Sequence, residues 1–310
     1  MSGYKYLFGP VPSRRLGASL GVSPIPERTC NYSCVYCQLG RTLRMTNTRQ
    51  EFFPLEEILA EFREYLRGSI PFDVVTVVGE GEPTLYSRLG ELIAGLKKET
   101  DKPMAVITNG ALLYDAELRR ELMEADIVLP SLDAVTEEQY RKIDRPMGSI
   151  GFAEMAEGLR QFAREYQGQL WIEIMLVDGM NDSPEDIAAF KEFLGTIDYD
   201  RVYLNTPVRP PAEGFVHTSA PERIDLAARE LGGISIDQLT SGSFFSEVED
   251  PYEAILSIAR RHPMNQFEVE SFLEAREIPA DQRQALMERL GQDPGITVVP
   301  YKGIITYRVN

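Results

Sequence analysis

The sequence predicts an α/β fold: an open, partial barrel of six β/α units, then a small module of three helices and a hairpin. Three observations carry this. Short β-branched runs alternate with amphipathic stretches from about residue 16 to residue 231, the mark of a parallel sheet with right-handed crossovers. Six such units fall short of the eight that close a barrel. After about residue 235 the alternation stops, and helical and strand signals segregate.

The units run in order. Residues 16–22 are the first strand, ahead of a cysteine-bearing loop. Residues 53–67 carry helical periodicity, 73–78 (DVVTVV) read as a buried strand, and 85–98 as a helix. Residues 104–108 (MAVIT) are a strand and 115–124 a helix. Residues 127–132 (IVLPSL) read as the fourth strand, although Pro130 has no N–H for a ladder. A helix at 152–166 and a strand at 170–177 (LWIEIMLV) follow. The helix at 184–194 has Ser183 as its N-cap and Pro184 in its first turn. A strand at 201–205 and a helix at 221–231 complete the barrel. Residues 236–250 read as a linker, giving domains at 1–235 and 251–310. In the second, 252–261, 266–276 and 280–290 are helical, and 296–300 pairs with 304–309 across a Tyr-Lys-Gly turn. Three helices and a hairpin is the order of a winged-helix module.

Composition narrows the function classes. Of 310 residues, 43% are hydrophobic and 26% charged, which excludes disordered and low-complexity classes. A net charge of −16 argues against a global grip on duplex nucleic acid. The 251–310 module holds seven basic and eight acidic residues, so duplex DNA is not expected as its partner. No apolar run approaches the roughly 20 residues of a membrane span. The opening MSGYKYLFGPVPSRR lacks the order of a signal peptide. The expected setting is cytoplasmic. Residues 1–50 run against the acidic trend, with seven basic residues and only Glu27 as an acid. This excess is either chance scatter on a solvated surface or a basic rim that would offset an anionic metal cluster and attract an anionic substrate.

The cysteines say most. Cys30, Cys34 and Cys37 are the only three, spaced Cys-x3-Cys-x2-Cys in one loop. An odd, clustered set is no disulfide framework. Three thiolates so placed can hold three irons of a [4Fe–4S] cube and leave the fourth iron open to another ligand, whereas an electron-transfer cluster takes four cysteines. A zinc site is the alternative, and it would need a distant fourth ligand such as His217 or His262.

Further motifs arrive on successive strand ends. Gly79-Glu80-Gly81-Glu82-Pro83 follows the second strand and Thr108-Asn109-Gly110 ends the third. Ser131-Leu132-Asp133 ends the fourth, and the fifth carries Glu173, with Asn181-Asp182 beyond. With the cysteines, this series resembles the radical S-adenosylmethionine (radical SAM) superfamily over roughly residues 1–230. The resemblance implies a partial barrel of radical SAM type, with a [4Fe–4S] cluster on Cys30, Cys34 and Cys37. It implies S-adenosylmethionine contacts from Tyr36, which packs on the adenine, from Gly81 and Glu82, which meet the methionyl amino group, and from Thr108, Asn109, Ser131, Asp133 and Glu173. It implies a low-potential flavodoxin or ferredoxin as electron donor, and a 5′-deoxyadenosyl radical that abstracts hydrogen from an unidentified substrate. The opening Phe8-Gly9-Pro10-Val11-Pro12-Ser13-Arg14-Arg15-Leu16-Gly17 and the run Cys30 to Gly40 are similar to the group related to wyosine synthases, which rebuild a tRNA guanine. This chain lacks the extra N-terminal cysteines of those enzymes, so a tRNA-modifying activity stays an alternative. A metal-sensing winged-helix regulator is a second one.

Several residues keep two readings. Arg14 and Arg15 either neutralise a cluster or substrate or lie on the surface. Arg209 ends the sixth strand and faces the barrel mouth. His217 reads as a solvated loop residue or as a proton donor or substrate contact, and His262 as a helix-end residue. Asp144 and Arg145 pair locally or line the substrate route. Trp171 shares a strand face with Glu173 and reads as core.

Overall fold

The computed structural model describes residues 4–236, 244–246, 248–301 and 303–310. The expected linker thus lies largely outside the described residues. The chain opens with an antiparallel pair, β1 (Leu7–Ser13) and β2 (Gly17–Val22). The cysteine loop follows, flanked by two short strands, β3 (Thr29–Cys30) and β4 (Arg44–Met45). Then come α1 (Leu55–Tyr65), β5 (Val74–Val77), α2 (Leu89–Glu99), β6 (Met104–Thr108), α3 (Ala116–Leu122) and β7 (Ile127–Pro130). Helices α4 (Glu137–Ile143) and α5 (Phe152–Glu165), β8 (Gln169–Met175), α6 (Pro184–Leu194), β9 (Arg201–Asn205), α7 (Pro221–Leu231) and β10 (Ile234–Ser235) complete the barrel.

The large sheet has the order β1-β2-β5-β6-β7-β8-β9-β10. The six expected strands are all present and parallel, and the sheet stays open. It gains two edges that the alternation did not announce, antiparallel β1 and the two-residue β10. Pro130 ends β7. The β7–β8 ladder stops at Val128↔Leu170 and returns only as a bridge, Ser131↔Glu173. The gap brackets the residue without an N–H. Helix α2 starts later than expected because Glu82 caps Thr84 N–H, setting a short 3-10 turn at Pro83–Leu85. Ser183 and Asp186 form a capping box on α6, with Pro184 in its first turn, a contribution of about 1 kcal/mol.

Strand periodicity divides the sheet into two faces. Leu20, Val75, Val77, Val106, Val128, Ile172, Ile174, Val202 and Leu204 point outward into the core beneath the helices. Val74, Ala105, Ile127, Leu129, Trp171 and Tyr203 point inward and fill the lower half of the barrel. Trp171 is therefore core. Above that layer, Ser19, Thr76, Glu173, Met175 and Asn205 continue the inward face and line open space.

Past the linker come α8 (Pro251–Ala259), β11 (Met264–Asn265), α9 (Gln266–Ala275), α10 (Ala280–Gln292), β12 (Ile296–Tyr301) and β13 (Ile304–Val309). These helices match the expected ones, and β12 and β13 pair as the expected hairpin, joined by β11 in a three-stranded sheet. This part has its own core, with Tyr252, Ile255, Ile258, Phe272 and Leu273 at its centre. It lies against the barrel mouth. Tyr301 Oη donates to Pro207 O at 2.7 Å, and Phe245 N–H donates to Pro10 O at 3.0 Å. Among the described residues, no helix is long and apolar enough to cross a membrane.

Candidate functional site

The strand ends, the cysteine loop and the C-terminal part enclose one cavity of about 430 Å³. Cys30, Cys34, Tyr36, Cys37, Gly81 and Glu173 line it. So six of the eleven residues singled out from sequence meet in one place. The linker supplies Phe244, and the C-terminal part Arg261, His262 and Glu268.

The cysteine loop is built by short backbone turns. Cys37 N–H donates to Cys34 O, and Gly40 N–H to Cys37 O, both at 3.1 Å. All three cysteines are free and half-buried. Burial pushes each thiol pKa up, and Glu82 adds to this at Cys30 and Asp144 at Cys34. A bare thiolate is disfavoured here, and a metal centre supplies the positive charge that reverses the balance. Donors already face the sulfur: Tyr32 N–H lies 3.4 Å and Asn109 Nδ2 3.7 Å from Cys30 Sγ. Asn31 Nδ2, beside Cys30, is buried with no hydrogen-bond partner. Among the described residues no three His, Cys, Asp or Glu side chains converge as a single-ion site. A mononuclear zinc site needs such convergence, whereas in a cube each cysteine takes a different iron. The residues fit a three-cysteine cluster.

The other five singled-out residues stand behind the cavity wall. Glu82 is buried and saturated: Oε1 accepts from Thr84 N–H, Thr84 Oγ1 and Thr108 Oγ1 at 3.0, 2.6 and 2.6 Å, and Oε2 accepts from Asn109 N–H at 2.8 Å. It ties the β5 and β6 ends together. Gly81 is what lets this loop close, since a Cβ there would stand 1.8 Å from Thr29 O. Asn109 Nδ2 donates to Asn31 Oδ1 at 2.7 Å, which links β6 to the cysteine loop. Ser131 holds its place through the bridge to Glu173. Asp133 accepts from Tyr36 Oη and, at 2.7 Å, from Met175 N–H, so Tyr36 is oriented from β7.

Burial pushes the Asp133 carboxyl up to about 6, against the Tyr36 and Met175 hydrogen bonds. Its folded value lies above its unfolded one. Its stabilising contribution is therefore full below about pH 4 and is lost as pH rises through about 6. Asp133→Asn should remove that dependence, read as a flatter urea-midpoint profile of the metal-free protein between about pH 4 and pH 7.

The charges of the cavity are mostly paired. Arg15 forms an ion pair with Glu173 and is not a surface residue. Glu173 also accepts from Asn205 Nδ2 at 3.1 Å. Glu80 meets Arg261 at 3.5 Å, both sheltered from solvent. Arg209 does face the mouth, where it clasps the C-terminal part. It pairs with both oxygens of Glu268 at 2.9 and 3.0 Å, donates to Pro263 O, and lies 2.6 Å from His262 Nε2. His262 follows α8 as expected, yet its ring reaches the cavity, where burial and Arg209 hold its pKa well below the usual value. His217 is exposed. Asp144 and Arg145 do not pair locally: Arg145 reaches Glu213 at 2.6 Å, and Asp144 is buried beside Cys34. Glu80 was quoted only as part of its motif, without a role, and Arg261 and Glu268 were not singled out from sequence. The run Arg260-Arg261-His262-Pro263, basic in an otherwise balanced module, was the available signal.

Comparison with known proteins agrees with this geometry. Residues 25–191 match the family described as the Radical SAM superfamily. The chain is 32% identical over 314 aligned positions to a UPF0026 protein of Methanocaldococcus jannaschii, covering 98% of this chain and 95% of that one. It is 42% identical over 205 residues to a Brachyspira hyodysenteriae protein named GTPase Obg, of which it spans only 30%. Among solved structures, a radical SAM methyltransferase from Sphaerobacter thermophilus shares the fold with a TM-score of 0.52 at 19% identity, over 71% of this chain and 67% of that one. A structure described as native anSMEcpe with bound AdoMet also gives 0.52, at 18% identity, over 69% of this chain and 59% of that one. The cysteine loop at the mouth of an open parallel barrel, the family match over more than half the chain and the full-length relative lead to one conclusion: the chain belongs to the radical SAM superfamily, within the group of UPF0026 proteins.

Proposed function

We propose that this radical SAM enzyme abstracts hydrogen from a small anionic substrate held between the barrel mouth and the C-terminal part. The observation that carries this is the cavity's charge. Five arginines, Arg14, Arg15, Arg28, Arg209 and Arg261, line it against three glutamates, Glu80, Glu173 and Glu268, in a chain of net charge −16. A positive cleft in a negative protein concentrates anions locally. The cofactors are those of the family, a [4Fe–4S] cluster and S-adenosylmethionine. Bound together and given one electron, they supply reductive cleavage of the S–C5′ bond and a 5′-deoxyadenosyl radical.

The chain's own residues bind, orient and enclose. Cys30, Cys34 and Cys37 hold the cluster. Glu82, Thr108 and Asn109 keep the Gly81 backbone and the cysteine loop in register for the cofactor. Asp133 fixes the Tyr36 ring beside it, and Ser131 keeps the carboxylate-bearing β8 aligned. The C-terminal part, which we read as a winged-helix module, limits water at the mouth, which suits radical chemistry. A low-potential flavodoxin or ferredoxin is the proposed electron donor. The acidic balance of the module disfavours duplex DNA and the tRNA alternative alike.

The test is 5′-deoxyadenosine formation by reduced, reconstituted enzyme supplied with cell metabolites fractionated by anion exchange. An anionic small-molecule fraction should raise the rate well above the uncoupled one. Stimulation by tRNA alone would overturn the small-substrate reading and favour the tRNA one.

A further inference from the structure

The last strand of the C-terminal part reaches back to the cysteine loop. A Cβ added at Gly40, three residues after Cys37, would stand 3.7 Å from Arg28 Nη1 and 3.8 Å from Arg308 Nη1. Two guanidinium groups, one from each part of the chain, thus converge on the turn that carries Cys37. Like charges repel, so this pairing needs a reason. Glu27, 3.2 Å from Arg28 Nε, is the carboxylate at hand, and it sits on the exposed side. Arg308 Nη1 is buried with no hydrogen-bond partner.

The backbone holds Arg28 there at a cost. Its φ is 47°, the left-handed region that a residue with a Cβ avoids. Its N–H donates to Glu80 O, and its carbonyl accepts from Leu43 and Arg44 N–H at 3.0 and 3.1 Å. These bonds staple the chain before Cys30 to the chain after Cys37. Burial and the Arg28 charge push the Arg308 pKa down, and Cys37 pulls it up.

We propose that Arg28 and Arg308 form a cationic brace on the cysteine loop, which stabilises the extra negative charge of a one-electron-reduced cluster and so makes its reduction easier when the C-terminal part is docked. This rests on the cluster assignment above. Net charge, hydrogen bonding and solvent exposure around a cluster set its potential. A half-buried guanidinium is screened little by salt, so its field reaches the sulfur. Arg308 is a positioning and tuning residue and abstracts nothing itself. Reduction adds one electron from an external low-potential reductant and moves no proton. Because Arg308 lies on β13, undocking of the C-terminal part withdraws one of the two charges, which couples closure of the mouth to reducibility.

The experiment is an anaerobic redox titration with dithionite and mediators, followed by electron paramagnetic resonance, on full-length reconstituted protein. Iron and sulfide are measured first. Arg308→Gln and Arg28→Gln should each shift the midpoint potential to a more negative value. Arg308→Lys, which keeps the charge, should stay near the parent, as should Arg229→Gln, a charge loss on exposed α7. An Arg308→Gln protein with the parent's iron, sulfide and midpoint potential would overturn the brace. If that variant does not fold, an unshifted Arg28→Gln protein does so instead. A parent that takes up no iron and sulfide would overturn the underlying cluster assignment, a separate outcome.

Discussion

A Cys34→Ala protein is expected to leave anaerobic reconstitution with far less iron and sulfide than the parent, while its metal-free form unfolds at nearly the same urea concentration. The two halves of this result have different causes. Burial and the Asp144 carboxylate favour the neutral Cys34 thiol, so without metal the side chain acts as a small half-buried packing group. Its truncation costs on the order of 1 kcal/mol. In the proposed cluster it is one of three protein ligands, and its loss would leave a second iron of the cube without one. Asp144, the nearest acid, approaches the sulfur at 3.9 Å. It is itself buried and its pKa is pushed well up by that burial, so it is a poor substitute anion. Equal iron and sulfide in variant and parent would remove Cys34 from the ligand set.

Glu82→Gln is expected to have the largest effect on the fold itself. The carboxylate accepts four hydrogen bonds from buried donors on two strand ends. An amide of the same shape turns one acceptor oxygen into a donor, so either Asn109 N–H or Thr84 N–H loses its acceptor, while the threonine hydroxyls can turn to accept. Leaving such a group unsatisfied costs about 1–3 kcal/mol. The loss should appear as a lower urea midpoint. The Asn109 link to Asn31 should loosen with it, weakening S-adenosylmethionine binding through the loop and not through a lost direct contact. A variant with the parent's midpoint but weaker cofactor binding would show that Glu82 meets the cofactor itself.

Local pattern carried much of this molecule. The parallel strands announce themselves because buried central strands are short apolar runs, as in Met104–Thr108. The cysteine spacing and Gly81 mark chemistry and close backbone approach within a few residues. Edge strand β1 was missed because its Gly-Pro-rich stretch lacks alternation. Helix α4 was missed because only Tyr140 and Ile143 mark its buried face, too little for periodicity. The cavity's far wall was illegible for a different reason. Arg261 meets Glu80, and Arg209 meets Glu268, only because the C-terminal part folds back across the mouth. No local pattern encodes contacts between segments so distant. The same cause hid the role of His262, whose backbone position at a helix end was readable and whose side-chain surroundings were not. The five residues behind the wall were readable as a set, since they lie on successive strand ends. Which of them face the cavity depends on loop turns that the strand period does not describe.

Radical SAM chemistry in this cavity has a simple product assay. Reconstituted protein is reduced with dithionite under anaerobic conditions and given S-adenosylmethionine alone. Slow formation of 5′-deoxyadenosine by the parent is expected, because the cysteine loop and strand ends would position the cofactor without help from substrate. None is expected from a variant with Cys30, Cys34 and Cys37 all changed to Ala. Parent protein with a full complement of iron and sulfide, shown to be reduced, that yields no 5′-deoxyadenosine would contradict that chemistry.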